Sequence, residues 1–134
     1  MKEHVIEACK LLAGIYRDRT YADRVFDGGE ASALSERLVF GVLERDVEIS
    51  YILAQLVEKK PRKPVEILLK VGVYALLYID NIPDYAIVSE CVEAAKSTGK
   101  GGAAGFVNAV LKAVSARRYR MPAPSDQEYD EVHF

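Results

Sequence analysis

A chain of 134 residues, half of them hydrophobic and 28% charged, has ordinary globular composition and is long enough for one domain with a real core. It has no run of about 18 apolar residues, which excludes a transmembrane helix, and its opening, MKEHVIEACKLL, is acidic and amphipathic and does not read as a signal peptide. The net charge of −2 hides an asymmetry: residues 1–58 carry 7 Lys/Arg against 11 Asp/Glu, residues 59–120 carry 11 against 5, and residues 121–134 carry 0 against 4. A basic second half in an acidic chain is the footprint of one anion-binding face, with solvated helix faces as the plain alternative.

The apolar periodicity predicts about seven helices and no strand. The first, about 3–16, carries Val5, Ala8, Cys9, Leu12, Ala13 and Tyr16 on one stripe. A short second helix, about 20–27, opens at Thr20 and ends at Gly28-Gly29. The third, about 32–45, shows Leu34, Leu38, Gly41, Val42 and Arg45. The fourth, about 46–58, opens at Asp46 and shows Ile49, Ile52, Leu53 and Leu56. A basic connector follows, Lys59-Lys60-Pro61-Arg62-Lys63-Pro64. The fifth helix, about 64–79, takes Pro64 in its first turn, where a missing N–H costs nothing. It is apolar on nearly every side, at Val65, Leu68, Leu69, Val71, Val73, Leu76 and Leu77, and so reads as the central helix.

Pro83 breaks the chain next, with Asp84 as the expected N-cap of a sixth helix. That helix buries Ile87, Val88, Cys91, Ala94 and Ala95 and leaves Ser89, Glu90, Glu93 and Lys96 outside the stripe. Gly99, Gly101 and Gly102 interrupt it, and Phe106, Val107, Val110, Leu111 and Val114 begin a seventh. Helices of this length with short loops make an all-α bundle. Gly41 and Gly72 sit mid-helix, where each costs about 1 kcal/mol relative to Ala. Close backbone approach of crossing helices explains them. From Met121 the chain turns acidic, with two prolines and no apolar stripe, and reads as a linker or tail on a domain of residues 1–120.

The stretch from Gly72 to Leu111 carries a resemblance. G-x-Y-x-L-L-Y-x-D-x-I-P-x-x-A-x-V-x-E-x-V-E-x-A-K, followed by G-K-x-x-A-x-x-F-V-N-A-V-L-K, resembles the NusB-like helical domain. The run from Glu36 to Arg45 resembles it too, and the likeness spans roughly Val5 to Arg118. Such domains occur as bacterial antitermination factors and as the N-terminal RNA-binding domain of the RsmB/Sun/Fmu family of rRNA cytosine-5 methyltransferases. The resemblance therefore implies a NusB-like helical bundle and RNA, rRNA above all, as partner. Within the family, the tail resembles the start of a connection to a catalytic domain. The chain is then either an N-terminal fragment of a longer protein or a short natural one.

The residues themselves offer no catalytic chemistry. An S-adenosylmethionine site needs an α/β sheet with a Gly-rich turn after a strand. The Gly-rich run Gly99–Gly105 follows a helix and matches neither the Rossmann nor the P-loop spacing. It reads as an interhelix turn, or as backbone N–H groups that could hold a phosphate. Cys9 and Cys91 lie on apolar faces as inert core thiols, in keeping with a reducing cytoplasm. They match no motif of the methyltransferases' catalytic cysteines. His4 and His133 stand at opposite ends, so no zinc-ligand cluster forms. Glu90 and Glu93 read as solvated or structural carboxylates. Asn108 reads as an interhelix hydrogen bond, with an RNA contact as the alternative.

The candidate RNA contacts are the cations of the basic half: Lys59, Lys60, Arg62 and Lys63 in the connector, Lys96 and Lys100 around the glycine turn, Lys112, and Arg117, Arg118 and Arg120 after the last helix. Tyr119, between Arg118 and Arg120, could stack on a base or pack on the bundle end. The function this supports is an RNA-binding accessory domain of an rRNA cytosine-5 methyltransferase, with S-adenosylmethionine bound by a covalently linked domain absent from this chain. An antitermination factor and a helical protein-interaction module without RNA are the alternatives. Ala109, where antitermination factors usually carry Gly, favours the first. So does a first helix with only Lys2, Lys10 and Arg17 against Glu3 and Glu7, where those factors are arginine-rich. The chain alone should neither transfer methyl groups nor bind S-adenosylmethionine, and a saturable site in a calorimetric titration with that cofactor would refute this.

Overall fold

The computed structural model describes residues 2–18 and 32–117. These form six α-helices, α1 (Lys2–Arg17), α2 (Ala33–Glu44), α3 (Asp46–Leu56), α4 (Lys63–Tyr78), α5 (Asp84–Ser97) and α6 (Ala104–Arg117), with a 3-10 turn at Gly101–Ala103. No strand occurs among the described residues, so the fold is the expected all-α bundle. The helix predicted at 20–27, Arg118, Tyr119, Arg120 and the tail with its boundary after residue 120 lie outside the described residues.

Local chemistry sets the helix ends. Ser32 caps α2, its Oγ accepting from the Ser35 N–H at 3.1 Å. The Ser32 N–H donates to Glu7 Oε1 at 3.3 Å, and its hydroxyl lies 2.9 Å from His4 Nδ1, so the same cap ties α2 to α1. A single residue, Arg45, closes α2 and opens α3: its N–H donates to the Gly41 carbonyl, and its own carbonyl accepts from Ile49. The start of α5 lies one residue earlier than expected. Pro83, in extended geometry, is the N-cap, and its carbonyl accepts from the N–H groups of Ala86 and Ile87. Asp84 is the first helical residue instead. There its charge suits the positive end of the helix dipole, and its Oδ2 accepts from Ser115 Oγ of α6 at 2.7 Å. At the other end of α5, Gly99 takes φ +77° and lets the Lys100 N–H turn back to the Ala95 carbonyl at 2.8 Å. This six-to-one closure needs a residue free of a Cβ penalty, and glycine supplies it.

Helix α4 packs against each of the other five. Ile67, Leu68, Leu69, Val71, Val73 and Ala75 are buried around its circumference. The predicted stripe of α5 is buried in full, as are Val107, Val110, Leu111 and Val114 of α6. Phe106, expected on the same stripe, is 39% exposed. The buried face of α1 is rotated from the expected one. Leu11 and Ile15 join Val5, Ala8 and Leu12 inside, while Cys9, Ala13 and Tyr16 are half-buried at its edge.

Polar side chains that the apolar pattern does not announce also enter the core. Glu48 is 2% exposed. It accepts from the Tyr78 hydroxyl at 3.0 Å and pairs with Arg45 at 3.3 Å, whose guanidinium stacks 4.5 Å above the Tyr78 ring. Burial, reinforced by the bond to Glu48, pushes the Tyr78 phenol up to about 12, so it stays a neutral donor.

Gly41 and Gly72 meet side chains rather than neighbouring backbone. The ring of Tyr74 lies where a Gly41 Cβ would stand. A Cβ at Gly72 would come 2.8 Å from both Leu111 methyl carbons and 3.3 Å from Cys91 Sγ. A leucine can rotate its methyls, whereas a buried ring stacked at 5.3 Å on Tyr78 must move as a whole. Gly41→Ala should therefore destabilise the fold by about 2 kcal/mol and Gly72→Ala by less than about 1 kcal/mol, while Gly72→Leu should exceed about 2 kcal/mol. Urea melts of the three variants check the order.

Candidate functional site

A cleft of about 740 Å³ opens between α1, the start of α4 and the end of α5. Its floor is apolar: Ile6, Cys9 and Ala13 from α1, Pro64, Ile67 and Leu68 from α4, and Ala94 from α5. Its rim is cationic, with Lys10 and Arg17 of α1, Lys63 of α4 and Lys100 of the glycine turn. Among the described residues, no carboxylate lines it.

Each rim cation is placed by its local backbone. Lys10 and Arg17 are seven residues apart, two helical turns, and so stand on one face roughly 10 Å apart along α1. Arg17 Nε donates to the Ala13 carbonyl at 3.3 Å. Lys100 Nζ folds back on the end of α5, donating to Thr98 Oγ1 at 3.0 Å and the Thr98 carbonyl at 3.3 Å, where a helix C-terminus favours positive charge. Lys63 lies 4.4 Å above the Tyr16 ring and pairs with Glu66 at 3.1 Å.

Beneath the rim, a charged network fixes α1 to α3 and α4. Lys70 is 6% exposed and donates to Asp46 Oδ1 at 2.7 Å. The Tyr16 hydroxyl donates to the same oxygen at 3.1 Å. Burial, with the Asp46 charge beside it, holds the Tyr16 phenol far above its ordinary value, so it remains a donor. Cys9 faces the cleft as a neutral thiol, pushed up to about 12 by burial. Cys91 is buried behind it and is raised further for the same reason.

The sequence-derived candidates do not share one face. Lys63 and Lys100 line the cleft, and Lys60 adjoins it through an ion pair to Glu66 at 3.6 Å. Lys59 and Arg62 are exposed in the connector before α4. Lys96 is on the outer face of α5, paired with Glu93 at 3.7 Å. Lys112 lines a second groove of about 570 Å³ between α5 and α6, with Tyr85, Asn108 and Ser115. Asn108 makes no side-chain hydrogen bond among the described residues; Ser115 and Asp84 tie these helices instead. Arg117 ends α6, roughly 20 Å from the glycine turn at 1.5 Å per residue. Lys10 and Arg17 are the rim residues that charge counting passed over. Their seven-residue spacing, on the face of Ile6, Cys9 and Ala13, was the available signal. The Gly99–Gly105 run serves as a turn that closes α5 and opens α6, with the Lys100 and Ala103 N–H groups bonded internally.

Among the described residues, no helix is long and apolar enough to cross a membrane, and no cluster of three or more His, Cys, Asp and Glu could hold a metal ion. A model of the NusB family matches residues 6–116, the whole of the bundle around the cleft. The chain belongs to the NusB family. This NusB-family chain is similar to a probable ribosomal RNA small subunit methyltransferase B of Bacillus subtilis, with 39% identity over 83 residues, 60% of this chain but 19% of that protein. It thus spans about a fifth of the length of that relative. It is 34% identical to the transcription antitermination protein NusB of Bacillus velezensis over 66% of this chain and 72% of that protein. With the NusB protein of Leifsonia xyli the identity is 35%, over 75% of this chain and 70% of the relative.

The Lys70 network gives a stability prediction. Asp46→Ala leaves the Lys70 ammonium with only Tyr16 and a 4.0 Å approach to Glu66, and should cost about 2 kcal/mol, discounted because Asp46 is partly exposed. Lys70→Met, which replaces the charge by a chain of similar volume, should cost less. Urea melts of the two variants check the ordering.

Proposed function

We propose that this domain binds RNA and that the cleft between α1, α4 and α5 takes the strand. The observation that carries the reading is the cleft's composition: four cations around an apolar floor, with no carboxylate among the described lining residues. Lys and Arg pair with phosphates, and an apolar floor accepts the face of an unstacked base, as single-stranded RNA recognition requires. The partner proposed is rRNA, and the setting the cytoplasm.

We propose further that the domain acts as the RNA-binding accessory part of an rRNA cytosine-5 methyltransferase. The 39% identity to the Bacillus subtilis methyltransferase supports this, as does Ala109. S-adenosylmethionine would then be held by a catalytic domain other than this one. A second reading is transcription antitermination. It draws on the extent of the match to the NusB proteins, about seven-tenths of their length, and on a first helix that does bring Lys10 and Arg17 to the cleft.

Fluorescence anisotropy with labelled rRNA fragments across a salt series tests the RNA reading. The combined variant Lys10→Gln, Arg17→Gln, Lys63→Gln, Lys100→Gln should lose most binding, and its salt slope should flatten by roughly 0.7 for each single-strand phosphate contact removed. Neutralising Lys112 and Arg117 together should change affinity far less. If the parent binds no fragment even at low salt, the RNA reading fails and a protein-interaction role takes its place.

A further inference from the structure

Two of the cations next to the cleft are already bound to an anion of the protein itself. The Glu66 carboxylate takes Lys63 on Oε1 at 3.1 Å and Lys60 on Oε2 at 3.6 Å, with Lys70 4.0 Å from Oε1. The partners differ in freedom. The Glu66 side chain is 10% exposed, whereas those of Lys63 and Lys60 are 52% and 78% exposed. Glu66 lies in the first turn of α4, where the helix dipole favours a negative charge independently of either lysine. Lys70 is satisfied by Asp46 in any case. The carboxylate is therefore the fixed member and the two surface lysines are the movable ones.

We infer that Glu66 is an internal stand-in for an RNA phosphate, which holds Lys60 and Lys63 and sets the affinity of the cleft. A phosphate arriving at the connector must draw these ammonium groups off Glu66 and exchange one anion for another. The exchange lowers the net gain of binding, and a lysine already neutralised by a carboxylate contributes less counterion release. This rests on the RNA reading above and specifies how that site is tuned.

The test compares the parent with Glu66→Gln and with Glu93→Gln, which removes the same unit of charge at the Lys96 pair on the outer face of α5. Each is titrated with an rRNA fragment and, separately, with inorganic tripolyphosphate. Glu66→Gln should raise affinity for both by roughly 3- to 10-fold, the scale of two surface ion pairs released, and steepen the RNA salt slope by about 1. Glu93→Gln should change either by less than roughly twofold. The gain should vanish when Glu66→Gln is made together with Lys60→Gln and Lys63→Gln. A gain no larger than that of Glu93→Gln, or one that persists without the two lysines, overturns the inference. Should no variant bind RNA while Glu66→Gln still gains lysine-dependent affinity for tripolyphosphate, the RNA reading falls and the anion exchange stands. If Glu66→Gln fails to fold, Glu66→Asp, which keeps the charge but shortens its reach, should show a smaller lysine-dependent gain; its absence overturns the inference.

Discussion

Every residue of α4 from Val65 to Ala75 is buried, and the rest of the bundle follows from that. Its buried Val, Ile and Leu side chains are each worth about 1.5–3 kcal/mol when removed from solvent, so five helices are drawn around one. A helix enclosed in this way cannot easily carry charge, yet Glu66 and Lys70 are buried on it. Glu66 is held by Lys63 of its own helix and Lys60 of the connector, whereas Lys70 takes its partners from neighbouring helices and so fixes how they dock. Lys70 reaches Asp46 at the first turn of α3, and Tyr16 near the end of α1 meets the same carboxylate. The burial of α4 thus supplies the cohesion, and the charges carried into that burial supply the register.

The cleft is a by-product of the same arrangement. Where α1 passes the start of α4 and the end of α5, Cys9, Ala13 and Tyr16 turn their sides outward instead of filling the core. The α1 face that is lost to packing becomes the wall of a concavity. Helix ends then decorate it with charge. Lys63 opens α4, and Lys100 follows the left-handed glycine that stops α5. Two acidic side chains nearby are taken up by partners, Glu66 by its lysines and Asp46 by Lys70 and Tyr16.

The similar proteins show this domain in two settings. In the NusB antitermination proteins it accounts for most of the molecule, and in the Bacillus subtilis methyltransferase for a small part.

The sequence by itself determined the bundle. A period near 3.6 in the apolar residues, proline and glycine at the breaks, and an apolar circumference on one segment were enough to give α1 to α6 and the central place of α4, because these are local properties of a chain in water. The family was legible for the same reason, in a run from Gly72 to Lys112 where spacing and residue type are both constrained. The tertiary structure decided what periodicity cannot express. It rotated the buried face of α1 toward Leu11 and Ile15, moved the cap of α5 from Asp84 to Pro83, and set side chains rather than backbone against Gly41 and Gly72. It also divided the cations, bringing Lys63 and Lys100 to Lys10 and Arg17 while leaving Lys96, Lys112 and Arg117 elsewhere. Charge counted along a chain carries no direction. Only the packing of helices tells which side chains share a concavity and which are spent on partners such as Glu66.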